Sequence, residues 1–286
     1  FIVNPIAGKG RALELIPKIK ESFNKENIDY KIKVTKQKGE GEKLAREGIK
    51  EGFNHIIAVG GDGTAYEVVN GIRGEKVVLG ILPAGTGNDF ARMLKLPKDY
   101  NEILETIKAS QKKKIDIGLI NDRYFLNCSS VGIDAEIVKE TEKIKKYVSG
   151  TLAYVIGVLK TLVRYRYKDV SIEIDGKRMK RDIELIAVGN GKYYGGGMKI
   201  NPMADLDDGF LDICLVNKIS KIKFALLFLT VFKGKHLGIK EVESLRGKEI
   251  KIFGDKDLML NADGDIIGTT PVEIKIEKRA IEVIVP

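Results

Sequence analysis

The sequence predicts an amino-terminal α/β domain built on a parallel sheet, followed by a carboxy-terminal antiparallel β-sandwich domain. Over residues 1–115, short β-branched runs alternate with segments of helical period, as parallel strands covered by helices require. From 116 to 286 the pattern changes to short alternating runs separated by Gly, Asn and Asp turns, which suit an antiparallel sandwich. With 286 residues, 43% of them hydrophobic, the chain can bury two cores. The last strand is a candidate to return to the first domain.

"FIVNP" (1–5) is a short apolar run ending in turn chemistry, and "ALELIPKIKESFNKE" (12–26) has apolar residues near helical spacing. "DYKIKVTK" alternates like a strand, and "GEKLAREGIKEG" reads as a helix closed by Gly52. "HIIAVGG" is a buried strand, "TAYEVVNGI" a helix and "VVLGILPAG" another strand. Beyond "QKKKIDIGLIN", strands are expected at "RYFLNCSSVG", "DVSIEIDGKRM", "RDIELIAVGNG", "FLDICLVNK", "KEIKIFG", "DLMLNADGD" and "PVEIKIEKRAIEVIVP". Helices interrupt them at about 134–165 and 220–235.

A net charge of +9 favours phosphate groups, nucleic acid or an anionic membrane surface as partners. The basic residues are mostly Lys and no nucleic-acid module is visible, so nucleic acid is disfavoured. Cys128 and Cys214 have no CxxC spacing and stand apart from His55 and His236, which argues against zinc. Sparse cysteines and no evident leader fit a reducing cytoplasm, although the chain begins at Phe1 without a Met. The longest apolar stretches, 147–163 and 224–232, fall short of the ~20 residues of a membrane-spanning helix.

Three glycine-rich stretches each follow a strand: "NPIAGKG" (4–10), "GGDGT" (60–64) and "PAGTGNDFAR" (83–92). Such turns offer backbone N–H groups to an anion, and at the carboxyl ends of parallel strands they converge on one crevice. The first is no Walker A loop, because Gly10 follows Lys9, and the others lack the third glycine of GxGxxG, where Tyr66 and Phe90 stand. Asp62 and Asp89 put negative charge into this cradle. They suit Mg²⁺ bound beside a polyphosphate, directly or through its waters; the alternative is that they cap helices.

"NPIAGKG", "GGDGT", "PAGTGNDFAR", "LDDGFLDI" and "NADGD", in that order, resemble the bacterial diacylglycerol kinase and related lipid kinase family. "GGDG" is also similar to NAD kinases and 6-phosphofructokinases, which match less of the set. The resemblance implies a Rossmann-like nucleotide domain of NAD kinase/diacylglycerol kinase type, and ATP- and Mg²⁺-dependent phosphorylation of a lipid hydroxyl in an interdomain cleft. It assigns the nucleotide to Asn4, Pro5, Ala7, Gly8, Lys9, Gly10, Thr35, Gly61, Asp62, Gly63, Thr64, Glu67, Gly85, Thr86, Gly87 and Asn88. Asp62 and Asp89 would organise Mg²⁺ through water, with Arg92 in the same network. A second, structural metal would take the Asp205 carbonyl, the Asp208 carboxylate and the Phe210 carbonyl. The family's DGE motif, whose acid accepts the hydroxyl proton, reads Asp263, Gly264, Asp265 here. Asp for Glu shortens the reach by one methylene, leaving Asp263 the first choice of base and Asp265 its partner. "KYVSGTLAYVIG" resembles a family segment whose Lys serves the active site, here Lys146 or its neighbour Lys145.

Residues 139–181 hold twelve Lys/Arg against five Asp/Glu, a segment suited to anionic lipid heads or to a solvated face. "KIKFALLFLTVFKGKH" (221–236) fits a core helix better than a membrane-interface helix. Tyr193 and Tyr194, before "GGGMK", line a lipid entrance or turn a hairpin. The expectation is a cytoplasmic kinase peripheral to the inner membrane face, acting on diacylglycerol, with an exposed strand edge that permits a homodimer. Its rivals are a kinase of NAD or another soluble hydroxyl, and a non-catalytic nucleotide-binding regulator at the membrane.

Overall fold

The computed structural model describes residues 1–144, 148, 151–254 and 258–286. The chain forms two compact units, Phe1–Ile117 with Lys278–Pro286, and Gly118–Glu277.

In the first unit, β1 (Ile2–Val3), α1 (Arg11–Lys25), β2 (Lys33–Val34), α2 (Glu40–Lys50), β3 (His55–Gly60), α3 (Asp62–Gly71) and β4 (Val78–Pro83) alternate. They are followed by α4 (Asp89–Met93), α5 (Tyr100–Ala109) and β5 (Lys112–Ile120). The sheet is parallel in the order β2, β1, β3, β4, and the end of the chain extends it, Glu282 and Val283 pairing with Val78 and Leu79. The alternation over 29–36 predicts a longer strand than β2. Pairing stops early because β1 is only two residues long: Lys33 N bonds Phe1 O and Thr35 N bonds Val3 O before the chain turns at Asn4. α1 buries Ala12, Leu15, Ile19 and Phe23, one stripe of its surface, against Ile57, Val59, Leu82 and Leu104. Asp99 caps α5 by accepting from the N–H groups of Asn101 and Glu102.

The second unit contains β6 (Arg123–Phe125), β7 (Cys128–Gly132), α6 (Ile133–Ile144), α7 (Thr151–Arg164), β8 (Lys168–Ile174), β9 (Lys177–Gly189) and β10 (Leu211–Asn217). Then come α8 (Lys221–Val231), β11 (Val242–Gly247), β12 (Glu249–Gly254), β13 (Met259–Ala262), β14 (Asp265–Thr269) and β15 (Val272–Ile284), whose residues from Lys278 onward belong to the first unit. Its strand pairings are antiparallel. The first half of β9 pairs with β8 and the second half with β7 and β10, so the sheet forks along this strand. Asp175 and Gly176, both with positive φ, close the β8–β9 hairpin in the two-residue turn favoured by Asp-Gly. The helical segment expected at 134–165 is two helices, α6 and α7. They pack Ile133, Ile137, Val158 and Leu162 with Phe224, Leu227 and Val231 of α8. Lys146 and Lys145 lie outside the described residues.

Candidate active site

The three glycine turns of the first unit touch one another, and glycine is what lets them. Gly8, Lys9 and Gly10 all have left-handed φ, at 60°, 62° and 95°. A Cβ on Gly8 would lie 2.0 Å from the carbonyl oxygen of Ala84, so the first and third turns meet backbone to backbone. A Cβ on Gly85 would lie 2.5 Å from the Cα of Gly61, which joins the third turn to the second. Asn4 Nδ2 donates to Thr64 Oγ1 at 3.2 Å, joining the first to the second. Asn88 secures the third turn by accepting from Gly85 N and donating to Gly85 O, both at 3.0 Å.

Around this cluster Lys9 and Thr86 are exposed, Gly87 and Asn88 are half-buried, and Thr35 and Thr64 are buried. Glu67 faces elsewhere: its carboxylate accepts from Gly39 N and Gly41 N, both at 2.8 Å, at the start of α2. Neither acid caps its own helix, since Gly61 and Asn88 hold those positions. Asp62 instead accepts from Phe90 N at 3.1 Å at the start of α4. Burial pushes the Asp62 carboxyl above its usual range, opposed by the N–H groups of Phe90, Asp89 and Asn88. Asp89, 3% exposed, pairs with Arg92, whose other nitrogen donates to Gly87 O at 3.3 Å.

In the second unit, Asp263 and Gly264 form the turn joining β13 to β14, with Asp265 the first residue of β14. Asp263, at φ 47°, accepts from Leu126 N at 2.6 Å, Asn127 N at 2.9 Å and Cys128 N at 3.1 Å. Its lone pairs are largely committed to the main chain. Asp265 is half-buried. The turn is braced from below by Asn261, which accepts from Gly264 N at 2.9 Å and donates to Asp134 at 2.7 Å and to Tyr194 Oη at 3.0 Å. Asp134 also accepts from Ser130 and Tyr194, and burial pushes its carboxyl up against these bonds. Sequence reasoning missed Ser130, Asp134 and Asn261. It placed Tyr194 in a glycine loop, where the residue pairs with Met198 and turns its hydroxyl inward.

Residues 1–120 match the diacylglycerol kinase catalytic domain, and residues 127–285 match the YegS C-terminal NAD kinase beta sandwich-like domain. A diacylglycerol kinase of Staphylococcus carnosus (strain TM300) is 31% identical over all of this chain and 94% of its own length. The chain belongs to the diacylglycerol kinase family. A diacylglycerol kinase of Staphylococcus aureus (strain MRSA252) is 32% identical over the whole chain and 91% of its own. The crystal structure of a diacylglycerol kinase from Bacillus anthracis str. Sterne superposes with a TM-score of 0.75 at 26% identity, covering 100% of this chain and 95% of the other. A further structure from that strain gives 0.81 at 28% identity, covering 100% and 96%.

Membership of the diacylglycerol kinase family makes the chain a kinase, with a nucleotide as one substrate. The glycine cluster fits a phosphate chain: side chains are absent where the backbones meet, and the turns precede α1, α3 and α4. For a divalent ion the fit is indirect. Among the described residues no three His, Cys, Asp or Glu side chains are grouped to hold a metal. Asp62 and Asp89 already carry hydrogen bonds, so they suit an ion held through its waters, and a nearby cation would favour the ionised form of buried Asp62.

The 205–210 turn, assigned by resemblance to a structural metal in diacylglycerol kinases, carries an arginine here. Asp208 pairs with Arg246 and accepts from Phe210 N at 3.0 Å. Arg246 also lies 3.4 Å from Asp212, whose other carboxylate oxygen is buried without a hydrogen bond, and 4.9 Å over the Phe210 ring. Asp205 is exposed. Burial pushes the Asp212 carboxyl up and Arg246 opposes it. Arg246→Ala is expected to cost about 1–2 kcal/mol at neutral pH, kept small because the guanidinium is half exposed. A raised folded pKa means that lowering pH favours the folded variant, so the loss shrinks as pH falls towards the unfolded carboxylate value of ~4. Urea denaturation at pH 7 and pH 4.5 measures it; an equal loss at both would exclude the charge explanation.

Proposed function

We propose that this chain is a lipid kinase that transfers the γ-phosphoryl group of ATP to a lipid hydroxyl, with diacylglycerol as acceptor and phosphatidic acid as product. The carrying observation is the mutual contact of the three glycine turns around Gly8, Gly61 and Gly85. Asn4–Gly10, Gly61–Thr64 and Gly85–Asn88 would hold the phosphates through main-chain N–H groups, and Lys9 would bring positive charge to the transferring group. Mg²⁺, held through its waters by Asp62 and Asp89, would neutralise charge on the phosphate oxygens.

As the hydroxyl oxygen bonds phosphorus and the β–γ bridge breaks to release ADP, a base must accept the hydroxyl proton. Asp265, half-buried at the first position of β14, takes that role in our reading, and Asp263 is fixed by three main-chain donors. Asp263 then holds the turn in place. γ-Labelled ATP incubated with mixed lipid extract, and in parallel with NAD, tests the assignment. Label in a chloroform-soluble phosphomonoester supports it; label only in a water-soluble product overturns it.

A further inference from the structure

Twelve large hydrophobic side chains are exposed among the described residues, and seven of them lie on α7, α8 and the residues just beyond their ends. On α8, Ile222, Leu226 and Leu229 recur at the spacing of one helix face and are 78%, 58% and 68% exposed, with Phe232 beyond them. The opposite face, Phe224, Leu227 and Val231, fills the core. A helix at a protein surface normally turns polar residues outward. α8 is apolar on both faces. Ile156, Val163 and Tyr167 extend the patch: Lys221 donates to the Val163 carbonyl, and the Lys218 ammonium lies 4.0 Å over the Tyr167 ring.

The charge within the two segments that carry this patch is one-sided. Segments 151–168 and 218–240 together contain ten Lys/Arg and no Asp/Glu, whereas the whole chain has a net charge of +9. The remaining residues are therefore close to neutral in sum. Two of the ten are paired, Lys160 with Glu140 and Lys223 with Glu241. Arg164, Arg166, Lys221, Lys233 and Lys235 are exposed. Apolar side chains flanked by basic ones suit a layer with anionic groups outside and hydrocarbon beneath. A second copy would set like charge against like charge, and a nucleic acid offers phosphate without an apolar layer.

We propose that the exposed faces of α7 and α8 form a docking surface for anionic phospholipid bilayers, with Ile222, Leu226, Leu229 and Phe232 entering the headgroup boundary and the surrounding Lys and Arg meeting phosphodiesters. The proposal deepens the lipid kinase reading by assigning the face through which such an enzyme reaches its substrate. Its test needs no turnover, so the two readings fail separately.

The test is flotation of the full chain, without ATP, on vesicles of phosphatidylglycerol mixed with phosphatidylcholine and on vesicles of phosphatidylcholine alone. Expected are binding to the anionic vesicles that weakens in high salt, and a roughly tenfold or larger loss of affinity in Leu226→Ser/Leu229→Ser. Lys221→Gln/Lys233→Gln/Lys235→Gln, which leaves the apolar face intact, is expected to bind more weakly and with a shallower salt dependence. Both variants are expected to keep the wild-type circular dichroism and turnover of a micelle-dispersed short-chain diacylglycerol. Unchanged flotation in either variant, salt-independent binding to neutral vesicles, or a dimer that Leu226→Ser/Leu229→Ser dissociates would each overturn the proposal. Flotation as described in a protein without kinase activity would leave the surface standing and remove the kinase reading.

Discussion

Asp265→Asn is expected to lower kcat by roughly 10²–10⁴ while leaving nucleotide KM and thermal stability close to wild type. The amide keeps the size of the side chain and removes its capacity to take a proton. Asp263→Asn is expected to behave differently. Three main-chain N–H groups share its two oxygens, and an amide has one acceptor oxygen, so at least one donor loses its partner. The cost is about 1–3 kcal/mol of stability, with activity falling through misplacement of the turn. Asp265→Glu, which restores the acid of the family motif, is expected to retain turnover. Steady-state kinetics and thermal melts on the three variants decide the order. Full turnover in Asp265→Asn, beside a stable and inactive Asp263→Asn, would return the role to Asp263.

Asp62→Asn carries the second large effect, a drop in kcat of roughly 10²–10³, comparable to removing one electrostatic stabiliser of the transition state. Its stability should move the other way. Burial raises the Asp62 carboxyl above its usual range, so in the folded wild type the group binds its proton more readily than in the unfolded chain. Its contribution is most favourable below the unfolded pKa of ~4 and declines as pH rises through the folded value. The neutral amide keeps an acceptor for Phe90 N and avoids that decline. Relative to wild type, the variant should therefore gain stability between pH 4 and pH 7 when no nucleotide or metal is added. Denaturant titrations at the two pH values measure the difference. A variant that loses stability at pH 7 would mean that the ionised carboxylate holds the start of α4 more strongly than burial opposes it.

What the chain announces in one dimension is whatever depends on local pattern. The helical stripe Ala12, Leu15, Ile19, Phe23 and the buried run at His55–Gly60 are visible because side-chain period follows from backbone geometry. The glycine turns are equally visible, since only glycine lets backbones approach as they do at Gly8 and Ala84. Even there pattern has limits: the alternation over 29–36 says nothing of how short its partner β1 is.

The roles of individual acids were hidden for one shared reason. Asp263 bonds main chain 135–137 residues away, Asn261 reaches Asp134 across 127, and Glu67 bonds Gly39 and Gly41 across 28 and 26. Nearly every residue carries an N–H, so a sequence cannot mark which of them will meet a given carboxylate. Arg246 was equally silent, one basic residue among 49 until folding set it beside Asp208 and Asp212. Composition and period thus determined the two domain types and the positions of the glycine turns, because those follow from short-range sterics and burial. Tertiary structure alone decided which carboxylates are committed to the backbone, because hydrogen bonding depends on distances that only the folded chain creates.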